Sequence, residues 1–310
     1  MLFTPLKHQK SQEARTVNVG FIGVGVMGGH MARHIMEAGN KLHVHDIRKE
    51  SARPLLDGGA IWMDTPKAMA QVCGVILLSL PGPPEVEQVV LGKDGMSSGW
   101  KKGDICVDTS TNSPVTIRKI AEQARKTGVE VLDAPVTGGV PGAAAGKLNF
   151  LVGGNAAALE KVRNILVTAG KNIFHVGESG CGDIAKLVNN MTAFACLQVD
   201  AEAILMGVKA GIKPSTLLDV IKASTGYNSS LELYNMTVPK GDFEPGFRMA
   251  LASKDIKLAL DLGKKCGVPL PIATAVAQQI SEAEASGLAE KGNQAIVIKL
   301  ENAAGLKIRF

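Results

Sequence analysis

From residue 17 onward, short apolar runs alternate with segments of helical period. VNVGFIG at 17–23 has the unbroken apolar character of a buried strand, and Val26 to Ala38 carries helical spacing that stops at Gly39. Lys41–Asp46 alternates apolar Leu42 and Val44 with His43 and His45, as a strand does. Val75–Leu80, Ile105–Asp108 and Val129–Asp133 repeat the theme, each beside a helical segment, and Leu148–Val152 and Ile173–Val176 flank a helical stretch over Ala156–Thr168. Such alternation predicts βαβ units and a parallel sheet. After Gly182 the period changes. Ile184 to Ala210 reads as one long helix, and Pro214–Lys222, Leu251–Lys265 and Ile272–Ser286 are helical, with no convincing strand among them. The fold class expected is an α/β Rossmann-type dinucleotide-binding domain, 17–178, followed by an all-α domain, 179–310. Residues 1–16 are polar and are expected to be a flexible extension rather than a secretory signal.

Composition narrows the function. Glycine supplies 35 of 310 residues, above the typical ~7%, with no collagen-like period, so it must serve turns, helix ends or backbone-lined ligand sites. Lys+Arg 34 against Asp+Glu 29 leaves +5, spread without a basic stripe, and aromatics are only 4%. No nucleic-acid partner is expected on either ground. The longest apolar stretch, around Val75–Leu80, is far short of the ~18 residues of a membrane span, so no membrane partner is expected. Five cysteines without metal-like spacing predict free thiols in a reducing compartment, cytoplasmic or organellar. The histidines, His43 and His45 on a strand and His30 and His34 on a helix, lack further ligands, so no metal is expected.

Gly23-Val24-Gly25-Val26-Met27-Gly28 is a G-x-G-x-x-G that closes a strand and opens a helix. Gly23 would permit the tight turn, Gly25 would let backbone approach a pyrophosphate, and Gly28 would let helix and strand pack closely. The helix start, Val26 and Met27 included, offers free N–H groups to phosphates, while the Met27 side chain itself reads as packing. Asp46 ends the second strand 18 residues after Gly28, where a carboxylate accepts from ribose hydroxyls and repels a 2′-phosphate. NAD is therefore the favoured cofactor. Arg48 keeps NADP open, because it would pair with a 2′-phosphate if Asp46 turned away.

Two further segments sit where an open α/β sheet binds ligands. Asp133-Ala134-Pro135-Val136-Thr137-Gly138-Gly139 follows a strand, and two glycines beside a hydroxyl make a nest for a carboxylate. Taken alone, it reads as well as a plain connection into a Pro141–Gly146 loop. Lys186 and Asn190 stand i, i+4 on the long helix, with Leu187 and Val188 between them. A lysine near apolar walls has its pKa lowered and can exchange a proton with a reacting oxygen. Asn190 would hold the same oxygen or fix the lysine, although a surface pair is the commoner fate of such residues.

In this order, the strand-GxGxMG opening, DAPVTGG, GxGxxxKxxxN and Phe247…Lys254-Asp255-Ile256 resemble the β-hydroxyacid dehydrogenases over about 17–305. The resemblance implies an active site between the two domains and NAD(P)-dependent interconversion of a 3-hydroxy acid and its semialdehyde or ketone. It implies Lys186 as catalytic acid and base, Asn190 as substrate-orienting partner, and Thr137, Gly138 and Gly139 as the carboxylate-binding stretch, where the family usually has serine first. It also implies cofactor contacts at Leu80, Pro81, Thr111 and Lys254. Glu85 stands where the family often has asparagine, so that contact is not carried over. Lys257 and Lys264 share the helix of Lys254 and would suit a solvated face. The expected partners are a small anionic hydroxy acid of the 3-hydroxyisobutyrate, glycerate or threonate kind and further copies of the chain, as a homodimer or homotetramer. The competing readings are a catalytically silent nucleotide sensor or scaffold and an imine reductase-like relative.

Overall fold

The computed structural model describes residues 18–310. The extension expected over 1–16, and Val17, lie outside the described residues. Among the described residues, nine strands form one sheet: β1 (Asn18–Ile22), β2 (Lys41–His45), β3 (Ile61–Trp62), β4 (Val75–Leu78), β5 (Ile105–Asp108), β6 (Glu130–Asp133), β7 (Val136–Thr137), β8 (Leu148–Gly153) and β9 (Gly170–Gly177). The first six are parallel in the order β3-β2-β1-β4-β5-β6. β8 runs antiparallel to β6 and β7, and β9 runs parallel to β8. The chain reverses its direction of travel across the sheet between β1 and β4, which puts the ligand crevice beyond Ile22 and Leu78.

Seven helices cover this sheet: α1 (Val26–Glu37), α2 (Arg53–Asp57), α3 (Pro66–Val72), α4 (Pro83–Leu91), α5 (Pro114–Arg125), α6 (Gly139–Ala144) and α7 (Ala156–Ala169). Alternation along β1 sends Phe21 into one core with Met31, Ile35 and Leu166, and Ile22 into the other with Ile76, Val86 and Ile117. Both faces are thus buried, which is why the strands read as apolar runs. β3 and β7, two residues each, are too short to leave an alternating pattern. The segment expected as a Pro141–Gly146 loop is instead helix α6 at its start, since Pro141 falls in the first turn, where its missing N–H costs nothing.

Beyond Gly177 no strand occurs among the described residues; α8 (Cys181–Lys209), α9 (Pro214–Lys222), α10 (Ser229–Thr237), α11 (Met249–Cys266), α12 (Pro271–Ala283) and α13 (Val297–Ala304) follow. α8 is the axis. Phe194 packs on one side with Met249, Ile256 and Ile280, and Leu197 and Ile204 pack on the other with Leu231 and Tyr234. With a mean hydropathy of 1.4 it is long and apolar enough to cross a membrane, a property that counting unbroken apolar runs did not reveal. Here it is a core helix, packed against α10, α11, α12 and α13, with Asn190, Gln198 and Asp200 buried along it.

Ile204 is fully buried at the centre of this helical core. Ile204→Ala is expected to cost about 2–5 kcal/mol, read as a lower urea midpoint at unchanged slope.

Candidate active site

The three glycines of the first turn sit in different surroundings. Gly23 holds φ +87°, and a Cβ there would lie 2.3 Å from the Ser79 carbonyl oxygen. At Gly28 a Cβ would lie 1.9 Å from the Gly23 carbonyl oxygen and 3.0 Å from the Phe21 ring, so helix and strand meet at backbone distance. Gly25, at the cap of α1, is the opposite case: nothing lies within 4 Å of its Cβ position. That open ground faces the first-turn N–H groups of α1, which have no intrahelical partner. The residues fit a dinucleotide pyrophosphate. Val26 is exposed beside the turn, whereas Met27 packs on the sheet core.

Asp46 follows β2 with both oxygens held by backbone: Val24 N–H donates to Oδ2 and Arg48 N–H to Oδ1, each at 2.9 Å. Across the crevice, Leu80 N–H donates to Ser110 Oγ at 2.9 Å, joining the ends of β4 and β5. Leu80 is half-buried, Pro81 exposed, and Glu85 exposed on α4. Gly82, which the sequence did not single out, gives passage to Lys254: a Cβ at Gly82 would lie 2.9 Å from its Cδ.

On the substrate side, Gly138 (φ +121°) and Gly139 (φ +62°) turn the chain out of β7 into α6. Thr137 Oγ1 accepts from Asn149 Nδ2 at 3.2 Å, which orients its hydroxyl. The root of this loop, Asp133, is fully buried and reaches the start of α8, accepting from Gly180 N–H at 2.8 Å and from Asp183 N–H at 3.1 Å. Asp183 in turn accepts from Asn112 N–H at 2.8 Å, and Asn112 Nδ2 donates to Asp108 at 2.9 Å. The loops after β5 and β6 therefore converge on the first turn of the helix that carries Lys186.

Lys186 is half-buried and makes no hydrogen bond or ion pair among the described residues. Burial pushes its pKa down to about 8, with Asp255 opposing the shift and the Lys254 charge adding to it. Asn190 is buried but does not fix the lysine. Its Nδ2 donates instead to Asp255 at 2.7 Å, and its side-chain oxygen accepts from Asn189 at 3.1 Å. Asp255 also pairs with Lys254 at 2.9 Å, and Lys254 Nζ donates to the Thr111 carbonyl at 2.7 Å. So Lys254 is not on a solvated face: it leaves α11, crosses Gly82 and ties the helical part to the loop after β5. The exposed lysines of that helix are Lys257, Lys264 and Lys265. Asp255, Asn112 and Asp183 are the site residues that sequence reasoning passed over, though each lay within or beside a quoted motif.

A strand-to-helix glycine turn, a carboxylate at the end of β2 and a lysine of lowered pKa at the junction with a helical half are the parts a nicotinamide-dinucleotide oxidoreductase needs. Residues 18–177 match the NAD binding domain of 6-phosphogluconate dehydrogenase, and residues 180–300 match the NAD-binding family of NADP-dependent 3-hydroxyisobutyrate dehydrogenase. The chain is 37% identical to 2-(hydroxymethyl)glutarate dehydrogenase of Eubacterium barkeri, covering 95% of this chain and 98% of that one. It is 38% identical to 3-hydroxyisobutyrate dehydrogenase of Pseudomonas aeruginosa, covering 78% and 84%. The Mycobacterium tuberculosis 3-hydroxyisobutyrate dehydrogenase structure with L-serine superposes at TM-score 0.85 and 29% identity, over 92% of this chain and 99% of that one. The chain belongs to the β-hydroxyacid dehydrogenases and is an NAD(P)-dependent oxidoreductase acting on the CH–OH group of hydroxy acids.

Two glycine variants separate folding from ligand binding. Gly28→Ala should destabilise by about 1–3 kcal/mol through the clash with Gly23. Gly25→Ala should unfold within about 0.5 kcal/mol of wild type yet bind dinucleotide at least about tenfold more weakly, read by denaturant melts and titration calorimetry.

Proposed function

We propose that the protein interconverts a short 3-hydroxy acid and its semialdehyde or ketone, using NAD, with Lys186 as the proton carrier. The observation that carries this reading is the lysine itself: half-buried, unpaired, and with a pKa of about 8. Near neutral pH such a group is poised to act in both directions. A bound nicotinamide cofactor supplies the hydride chemistry. In oxidation neutral Lys186 takes the hydroxyl proton, and in reduction its ammonium form returns one. Thr137 and the N–H groups of Gly138 and Gly139 anchor the substrate carboxylate. Asn190, fixed by Asp255, orients the reacting end. Lys254 has two effects: its Thr111 bond keeps the nicotinamide-side loop in place, and its charge favours the neutral form of Lys186. Relatives named for 2-(hydroxymethyl)glutarate and 3-hydroxyisobutyrate support a small carboxylate substrate.

The choice of NAD rests on Asp46. Its two backbone bonds keep the carboxylate from swinging aside, so a 2′-phosphate would meet negative charge before it met Arg48. Further copies of the chain, as a dimer or tetramer, suit the apolar residues Val188, Val199 and Met206 left exposed along α8. Five free cysteines suit a reducing compartment such as the cytoplasm.

Lys186→Ala is expected to lower kcat by about 10²–10⁴-fold while NAD binding is retained, and near wild-type turnover would overturn the mechanism. In wild type, oxidation should rise with pH through about 8 and reduction should fall there. Asp46→Ala should raise the NADP-to-NAD ratio of kcat/KM at least about tenfold, or about 1.4 kcal/mol, in paired steady-state assays.

A further inference from the structure

The first turn of α8 poses a problem that the proposed reaction does not answer. Helix starts leave N–H groups without partners, and a local Ser, Thr, Asp or Asn side chain commonly satisfies one. α8 is 29 residues long, carries Lys186 in its second turn, and starts at Gly180 (φ +89°) with no side-chain cap of its own. Its acceptor comes from another element. Asp133, fully buried at the end of β6, takes the Gly180 N–H on Oδ1 and the Asp183 N–H on Oδ2. The fit around that carboxylate is close. A Cβ at Gly153 would lie 2.7 Å from both Asp133 oxygens, and one at Gly182 would lie 2.3 Å from the Leu151 carbonyl oxygen and 2.5 Å from that of Asp133.

We propose that Asp133 is a positioning residue for the reaction: as a cap supplied by the sheet, it sets the seat of α8, and with it the place of Lys186 relative to the Thr137–Gly139 loop four residues further along the same strand end. One carboxylate thereby references the proton carrier and the substrate anchor to a single point. The assignment rests on the hydroxy-acid reading above, and it adds a residue that touches neither substrate nor cofactor.

The cap works as drawn only when ionised, because a protonated carboxyl carries a hydrogen towards one of the two N–H donors. Burial pushes Asp133 up to about 6, against the pull of backbone N–H groups at Gly180, Asp183 and Gly182. Asp183 from α8 shares the cap, Asp108 from β5 lies beside Asp133 in the register of β5 with β6, and the charge of Lys254 from α11 acts on Asp108 and Asp183. Arg118 from α5 donates to the Ser179 carbonyl, and His175 from β9 bonds the Gly154 carbonyl. Asp183 is held well above the usual carboxylate range by burial and by the nearby Asp108 and Asp133, so it adds little negative charge against the ionised cap. The sign for stability runs opposite to the sign for catalysis. Since the folded value of Asp133 lies above the unfolded 3.8, its own contribution to stability is full below that value and is lost as pH rises through about 6. Protonation therefore costs positioning while favouring the folded chain.

The reductive reaction separates these roles, because it needs Lys186 charged and Asp133 ionised. Its rate should form a bell, with an alkaline limb near about 8 from Lys186 and an acid limb near about 6 from Asp133. Asp133→Asn should remove the acid limb and lower kcat by about 10- to 100-fold, with the NAD dissociation constant within about twofold of wild type. A variant that keeps both wild-type kcat and the acid limb would overturn the proposal. Wild-type protein gives an independent reading that needs neither turnover nor a folded variant. Amide-exchange protection factors at Gly180 and Asp183, followed from about pH 8 to about pH 5, should fall together as Asp133 takes up its proton. Constant protection across that range would equally overturn it. Lys186→Ala should lose the alkaline limb but keep this exchange profile. Turnover absent with every hydroxy acid, beside an intact exchange profile, would strike the hydroxy-acid reading and leave the cap in place.

Discussion

Everything at this site depends on how the first turn of α8 seats on the carboxyl ends of β5, β6 and β8. The contact is made at backbone distance, with glycines at 153 and 182 where any side chain would collide with Asp133, Leu151 or the opposing N–H. It is also polar. Asp133 and Asp183 receive three backbone N–H groups across the junction, and Asp108 holds Asn112 behind them. Buried carboxylates are costly unless hydrogen-bonded, and here the bonds that satisfy them are also those that join the two halves of the chain. An apolar junction would have been adhesive without being directional. This one specifies which residue of α8 faces which loop.

The same constraint organises charge. Carboxyl groups cluster beneath the helix start, while Lys186 and Lys254 stand beyond it, and Asp255 links Lys254 to Asn190. Lys254 has a carboxylate and a carbonyl for company, but Lys186 has no hydrogen-bond or ion-pair partner among the described residues, and burial is the main cause of its depressed pKa. Two lysines a few residues of space apart thus come to differ in kind. One is a tether whose hydrogen bonds are spent on structure. The other makes no such bond among the described residues, which suits the proton exchange proposed for it. That difference comes from the partners each finds across the junction, and neither lysine's own sequence neighbours announce it.

What the sequence reveals follows from this. The parallel sheet was legible because strands buried on both faces leave apolar runs, and the glycine turn because its three glycines each answer a different local steric demand. Lys186 and Asn190 were legible as a pair on one helix face. Their relationship was not, since Asn190 turns to Asp255 rather than to the lysine, and 65 residues separate the two. The tie that Lys254 makes to the sheet was hidden for the same reason: Lys257 faces outward on the same helix, and only the approach of Gly82 and Thr111 from the sheet makes residue 254 different. The helix over 139–144 hid behind its glycines and proline, which mark loops when read alone and a tight helix start when read in place.

The dinucleotide side and the substrate side of the crevice are therefore built on different principles. At Gly23, Gly25 and Gly28 it is the absence of side chains that shapes the proposed dinucleotide cradle. Such a cradle is set by one strand, one helix and the turn between them, so it is local and leaves a compact motif. The proposed substrate side would draw Thr137 from β7, Lys186 and Asn190 from α8, and Lys254 and Asp255 from α11, and it depends on those elements holding register. A receptor assembled from distant elements needs a fixed reference, and the junction of β6 with α8 provides one.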